Sequence, residues 1–489
     1  MIIIDTLQQF GIDYHFQNEI QDFLSKQSLS LGDDGVLLSF DSDINLVNVS
    51  LSFRLLRQNG YHASTNMFNI FLDKDGKFRQ QLINDLTGMI GLYQASQHLV
   101  EGENILDQAN AFTRKNLHNA LPQLHQSQAS LIKDTIEHPY HLTLGRFNIK
   151  NCIKSYETEH GTRGLLQECA KMDFNIVQSQ HIRELSEVRL WWRELGLTRV
   201  LDFARDQPVK WYMWSMATLA HPTLSEQRID LTKFISFIYL MDDIFDVYGT
   251  LDELLLFTDA VNKWEVDTNK QLPNSMKIFL KALFDITEEI SYKILKKHKW
   301  NPFYSFRKAW TRLCNAFLVE AKWFASGHLP SSEAYLKNGV ISSGVHVLLV
   351  HTFFLLGQGL NKETVDLVDN LPGLVSYPAT ILRLWDDLGS AQDENQQGHD
   401  GSYTELYMKE HRSATTESAR EHVLNMIVNT RKKLNEEYLR PSSFSPSFKK
   451  ASLNIARMIH LMYNYDKNQR LPALEKHTKS LLYESIPLR

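Results

Sequence analysis

The segment LTKFISFIYLMDDIFDVYG (231–249) constrains this chain more than any other. Phe234, Ile235, Phe237, Ile238, Leu240 and Met241 leave almost no polar face, and a helix that is apolar all round is a buried one. Yet it runs into Asp242, Asp243 and Asp246 within about one turn. Three carboxylates at the end of a buried helix repel one another and are costly to desolvate. A fold that accepts this helix has to bring cations to its end. Asp242 and Asp246 stand four apart and are expected on one face. Such a pair suits a hard, oxygen-seeking ion such as Mg2+, which keeps waters and shares phosphate oxygens. Asp243 points about a third of a turn away, so a supporting role is expected for it. Taken alone, DDxxD is equally compatible with an acidic helix end facing solvent.

A second acidic segment, RLWDDLGSAQDE (383–394), shifts that balance. Asp386, Ser390 and Glu394 lie at i, i+4 and i+8, and eight helical residues advance about 800°, roughly 80° beyond two whole turns. They can therefore form one stripe of oxygen ligands. Arg383, one turn before Asp386, is placed to clamp phosphate oxygens. As a solvated helix the same residues would make only a surface ion pair of little worth. The apolar run ILRLW before them argues against a fully exposed face.

The rest of the chain reads as helical. Segments 46–59 (LVNVSLSFRLLRQN) and 420–438 (REHVLNMIVNTRKKLNEEY) space apolar residues three and four apart, with no run of alternating strands and no repeat of fixed period. All nine tryptophans fall at Trp191 or later. KMDFNIVQSQHIRELSEVRLWWRELGL (171–197) reads as the helix that opens a second domain, so the boundary is placed near residue 180: domains 1–180 and 181–489. Both acidic segments follow it. The uncharged stretch Asn338–Asn361 contains HVLLVHTFFLLG, but its serines, glycines, histidines and Gln358 favour a buried core helix over a membrane span.

Bulk properties exclude more than they select. With 52 basic and 57 acidic side chains the net charge is −5, which advertises no nucleic-acid partner. Cys152, Cys169 and Cys314 are odd in number and widely spaced, against a disulfide framework or a zinc site. The opening MIIIDTLQQFGIDYHF has neither a secretory pattern nor the Arg- and Ser-rich look of a transit peptide, so a cytoplasmic location is expected.

With MDDIFD and DDLGSAQDE both present, the chain resembles the plant class I terpene synthase family. DDxxD is carried by Asp242, Asp243 and Asp246, and (N/D)DxxSxxxE by Asp386, Asp387, Ser390 and Glu394. FRLLRQNGYHAS (53–64) and GLYQAS (91–96) resemble the family's N-terminal domain, and FARDQPVKWYMW (203–214) and NIARMIHLMYNYDKNQRLP (454–472) its catalytic one. The resemblance implies an all-α fold of two helical domains, a catalytically idle, shortened N-terminal α-barrel and a C-terminal α-bundle. It implies Mg2+, with Mn2+ as an alternative, on Asp242 and Asp246 at one wall and on Asp386, Ser390 and Glu394 at the other. It further implies that Arg205 and Arg383 hold a diphosphate, and that Trp214 and Tyr463 line the pocket. A helix break near ISSGVHVLL would border that pocket.

The sequence departs from the family pattern in three places. Gln207 stands where an RxR motif would place a second arginine; no tandem-arginine/tryptophan motif precedes Trp191; and no Lys or Arg follows Glu394 before Lys409. RDQPVKWYMW and DENQQGHDGSY resemble the subfamily making acyclic alcohols such as linalool and nerolidol. The expectation is thus a monomeric carbon–oxygen lyase that ionises geranyl or farnesyl diphosphate and quenches the cation with water. A chain-elongating prenyl transferase would carry a second DDxxD, but Ala391 and Ser390 break it here; a class II cyclase would need DxDD, and DSD (41–43) is not that. A truncated, inactive paralogue with a binding role is the rival of a different class.

Overall fold

The computed structural model of the chain describes residues 1–30, 44–155, 162–266, 271–390, 401–466 and 470–488. Among them there are helices, turns and one isolated antiparallel bridge, Leu72 with Phe78, and no strand. The chain divides into two compact units. The first comprises Met1–Ile176, Asn435–Pro441 and Glu484–Arg489, and the second Val177–Leu434 and Ser442–Tyr483.

The first unit contains α1 (Ile2–Gln9), α2 (Gln17–Leu29), α3 (Leu46–Gln58), α4 (Leu86–Ser96), α5 (Asn104–Ala120), α6 (Gln126–Glu137) and α7 (Gly145–Ser155). Two of their starts are written in the sequence. The Asn45 side chain accepts from the Asn48 amide to open α3, and Asp85 from Gly88 to open α4. α4 packs against α3 and α5, and Met89 and Tyr93 meet Leu117 and Ile132 in one apolar cluster. Arg57 on α3 is buried because every donor has a taker: the carbonyls of Ala63 and His98 and the Glu103 carboxylate.

α8 (Thr162–Leu195) runs through the division, and the second unit continues with α9 (Pro208–Thr218), α10 (Ser225–Asp243), α11 (Leu251–Lys263), α12 (Asn274–His298) and α13 (Phe303–Ser326). There follow α14 (Ser332–Ser342), α15 (Val345–Leu356), α16 (Lys362–Asp369), α17 (Gly373–Ser390), α18 (Tyr403–Glu410), α19 (Thr416–Leu439), α20 (Pro446–Tyr463) and α21 (Pro472–Leu482). Five of these close a circuit. α9 packs on α10 and α20, α20 on α17, α17 on α15, and α15 back on α10.

Local chemistry fixes the staves of that circuit. Pro378 lies inside α17 and has no N–H, so the Leu374 carbonyl one turn earlier loses its helical donor. The Ser452 hydroxyl of α20 donates to that carbonyl at 2.5 Å, which ties the two helices at one register. The apolar stretch Ser332–Leu356 is long and apolar enough to cross a membrane, yet 83% of its most apolar window is buried inside the protein. It is also two helices rather than one. Gly344 adopts φ +71° between α14 and α15, and a Cβ there would stand 2.6 Å from Ile238 Cγ2 on α10. Only glycine meets both demands. The break thus abuts α10 one turn before Asp242.

Candidate active site

Carboxylates at the C-terminal end of a helix face the negative end of its dipole, and α10 ends on two of them. The protein's own answer is Arg205, in the turn before α9. Its backbone N–H donates to Asp243 Oδ2 at 2.8 Å and its Nε lies 2.6 Å from Asp243 Oδ1. Its Nη2 donates to Asp242 Oδ2 and, at 3.4 Å, to the Tyr239 carbonyl. Asp243 is buried and spent on orienting Arg205, the supporting role expected of it. Asp242 stays about a third exposed.

The α-helix does not continue to Asp246 as the i, i+4 spacing suggests. It gives way after Asp243 to a π-helical turn, Ile244–Tyr248, which carries Asp246. Wider turns of this kind recur where a side chain has to be re-aimed. Asp246 is exposed at its surface, yet protein atoms crowd around it. That desolvation, followed by the charges of Asp242 and Glu320, pushes its carboxyl up to about 7 against the pull of Arg205 and Arg383.

The opposite wall is the last turn of α17. Arg383 Nη1 lies 3.3 Å from Asp386 Oδ2, its Nη2 donates to the Ser342 hydroxyl at 3.0 Å, and its Nε reaches the Gly339 carbonyl at 3.5 Å. Ser342 in turn donates to Glu320 Oε1 at 2.7 Å, as Asn338 does at 3.0 Å. Asp387 turns away into the protein, accepting from the Tyr335 hydroxyl and the Tyr403 amide at 2.9 Å each. Burial pushes its carboxyl up to about 7 despite Arg383. The Asp386 carboxyl is raised too, first by burial, with Asp242 across the site adding to it. Ser390 closes α17, but its side chain and all of Glu394 lie outside the described residues.

Trp214 and Tyr463, expected in the pocket, come to the same place. Trp214 is buried and its indole N–H donates to the Tyr239 hydroxyl at 3.0 Å. The Tyr463 phenol is raised well above its ordinary value by burial, then by Asp386 and Tyr239. Arg205, Asp242, Asp246, Arg383, Asp386 and Tyr463 are thus linked through their charges, and Trp214 joins them through Tyr239. Sequence reasoning missed Lys210, Tyr239, Glu320, Tyr335 and Ser342. Tyr239 left a signal, a hydroxyl in an otherwise apolar helix three residues before Asp242. Glu320 and Tyr335 left none, since their neighbours are distant in the chain.

The donor set fits hard divalent ions. Asp242, Asp246, Asp386 and Glu320 outnumber the two arginines among them, and Asp246 registers the excess as a carboxyl held near neutrality. Among the described residues no three His, Cys, Asp or Glu side chains gather closely enough to enclose an ion alone. Mg2+ does not require that, since it takes one or two carboxylates and completes its shell with water and phosphate oxygens.

Comparison with known proteins identifies the family. Residues 1–139 match the terpene synthase N-terminal domain and residues 193–433 the metal-binding domain of the terpene synthase family. An (E)-nerolidol synthase of Cannabis sativa is 50% identical over 490 residues, covering 98% of this chain and 88% of that protein. An S-(+)-linalool synthase of Arabidopsis thaliana, described as chloroplastic, is 47% identical over 485 residues, covering 98% and 83%. The crystal structure of isoprene synthase from grey poplar leaves (Populus x canescens), in complex with three Mg2+ ions and dimethylallyl-S-thiolodiphosphate, superimposes with a TM-score of 0.91 at 36% identity, covering 99% of this chain and 92% of that one. Matched in both its N-terminal and its metal-binding part, and sharing half its residues with one such enzyme, this chain belongs to the terpene synthase family.

Proposed function

We propose that this terpene synthase ionises farnesyl or geranyl diphosphate and lets water take the allylic cation at its tertiary carbon, releasing nerolidol or linalool. One observation carries the reading: carboxylates at the C-terminal ends of two helices, α10 with its π-turn and α17, sense each other across one site, each wall with its own arginine. Asp242 and Asp246 on one wall, and Asp386, Ser390 and Glu394 on the other, would hold Mg2+ or Mn2+. Bound there, the ions supply the positive charge that makes diphosphate a competent leaving group.

The chain's own residues do the rest. Arg205 is held by Asp243 and aimed from the first wall; Arg383 is held by Gly339 and Ser342 and aimed from the second. Two planar guanidinium groups on opposite walls can grip the diphosphate oxygens from both sides and fix the direction in which the carbon–oxygen bond breaks. Trp214 offers an indole face, oriented by its bond to Tyr239, and a ring face stabilises a desolvated cation by on the order of 1–2 kcal/mol. α15, buried along its whole length and packed on both α10 and α17, puts a mostly apolar helix beside both walls. The similarity to nerolidol and linalool synthases supports the acyclic alcohol.

The test is gas chromatography of the products of purified chain with Mg2+ and each diphosphate. A tertiary alcohol should form from at least one substrate, and Asp242→Asn should lower turnover about 100-fold or more. Formation of no volatile product at saturating metal would sink the proposal and leave an inactive paralogue as the better reading.

A further inference from the structure

Lys210, on the first turn of α9, is used by none of the chemistry above. It is half-buried and forms no ion pair within 4 Å among the described residues. Other sheltered lysines of the chain are paired: Lys171 with Glu168 at 2.7 Å, Lys233 with Asp230 at 3.6 Å and Lys293 with Asp230 at 3.2 Å. What Lys210 has instead is Tyr239. Its Nζ lies 5.8 Å from the centroid of that ring, while Arg205 Cζ lies 5.0 Å from the same centroid. The Tyr239 hydroxyl is in turn fixed by the Trp214 indole at 3.0 Å.

Two cations gathered on one phenol ring repel each other, and a ring face offsets only part of that. Arg205 is already met by Asp242 and Asp243, whereas Lys210, the other cation on this ring, still needs an anion. Asp386 on the far wall is felt at Lys210 but is no ion-pair partner. Burial, and then Arg205, hold the ammonium down to about 8, which records a charge not yet compensated. The surroundings also answer a departure in the sequence. Arg205 is followed by Gln207, so the second basic residue of that turn is absent, and Lys210 is the next cation along the chain.

We propose that Lys210 is a substrate-binding residue whose ammonium, gathered with the Arg205 guanidinium around Tyr239, grips the diphosphate oxygens and supplies the second cation that Gln207 does not. This rests on the reading of the reaction given above. A compact ammonium suits a polyanion as a point charge, with no demand for the bidentate geometry of an arginine.

The experiment compares wild type with Lys210→Met, Lys210→Arg and the double variant Lys210→Met/Gln207→Arg. It measures the competitive inhibition constant of inorganic pyrophosphate in Mg2+ alongside kcat and KM on farnesyl and geranyl diphosphate. Lys210→Met should weaken pyrophosphate about tenfold or more, the loss of one charge-assisted contact. Lys210→Arg should stay within about threefold of wild type, and Gln207→Arg should recover part of the loss. Unchanged pyrophosphate inhibition in an active Lys210→Met enzyme would overturn the role of the lysine and leave the reaction standing. A wild type that turns over neither substrate would overturn both. Should the methionine variant not fold, amine acetylation of wild type followed by peptide mass spectrometry decides: Mg2+ with pyrophosphate should protect Lys210 selectively, and equal labelling with and without it refutes the proposal.

Discussion

Gly339 shows how narrowly single residues are constrained around the second wall. A Cβ there would stand 2.9 Å from Arg383 Cγ and 3.0 Å from its Nε. The arginine side chain lies flat on the glycine backbone and cannot share the space. Gly339→Ala should push Arg383 off its contacts with Ser342 and Asp386 and lower kcat/KM about 10- to 100-fold. Circular dichroism melting should change little, because the residue is in a helix that tolerates alanine; a fully active Gly339→Ala protein would refute the positioning role. Much of this scale was legible beforehand. Asp242, Asp246 and Asp386 announce themselves as carboxylates that follow apolar runs, where desolvation is costly, and Arg383 as the cation beside them. What stayed hidden is the support behind them. Nothing local to Asp243 says that it spends its carboxylate on Arg205, nor that Tyr335 holds Asp387, because those partners meet only through the tertiary fold.

Helices were readable as elements, while their ends and breaks were less so. The family resemblance implies a break near ISSGVHVLL, and the chain does break there: Gly344, at φ +71° and against Ile238, parts α14 from α15, a position that no other residue type could fill. The expected continuation of α10 through Asp246 is instead a π-turn, because helical hydrogen bonding yields there to the placement of a carboxylate. The tie between α17 and α20 offers a test at this scale. Ser452→Ala removes the donor to the Leu374 carbonyl that Pro378 has stranded, and leaving a buried carbonyl unsatisfied costs about 1–3 kcal/mol. The melting temperature should drop by a few degrees. Replacing Pro378 by alanine in the same protein should restore most of it, since the helix then supplies its own donor. A single variant as stable as wild type would show that the Ser452 bond is idle. A single boundary near residue 180 is as far as the sequence reads; the return of Asn435–Pro441 and Glu484–Arg489 to the first unit depends on pairs such as His141 with Asn435 at 2.8 Å, far apart in sequence.

The stability of the whole protein should carry the signature of its acidic site. Asp246 and Asp387 have carboxyls held up at about 7, against about 4 in an unfolded chain. The native state therefore binds more protons across that interval, and stability from these groups is lost as pH rises from about 4 through about 7. His346 and His351 act oppositely: burial holds them down to about 4 and about 3, so their contribution returns as pH rises toward about 6.5. Lys210, held down to about 8, acts as the histidines do. The carboxyls are therefore isolated by difference: in EDTA the melting temperature of wild type relative to Asp246→Asn should fall as pH rises from about 5 to about 8, and Mg2+ with pyrophosphate should flatten that slope. A flat profile in EDTA would show that the carboxylates are already compensated within the protein.

The ligands proposed for both acidic walls have all been passed by Glu394, yet the circuit of helices around them lacks a member until α20 comes to lie between α9 and α17. A chain emerging from a ribosome thus displays its ion-gripping aspartates to bulk water long before it possesses a vessel. On the proposed chemistry, that order is protective. A half-made enzyme has no sheltered volume in which to release a carbocation, so nascent protein stays silent until its last stave seals the cask.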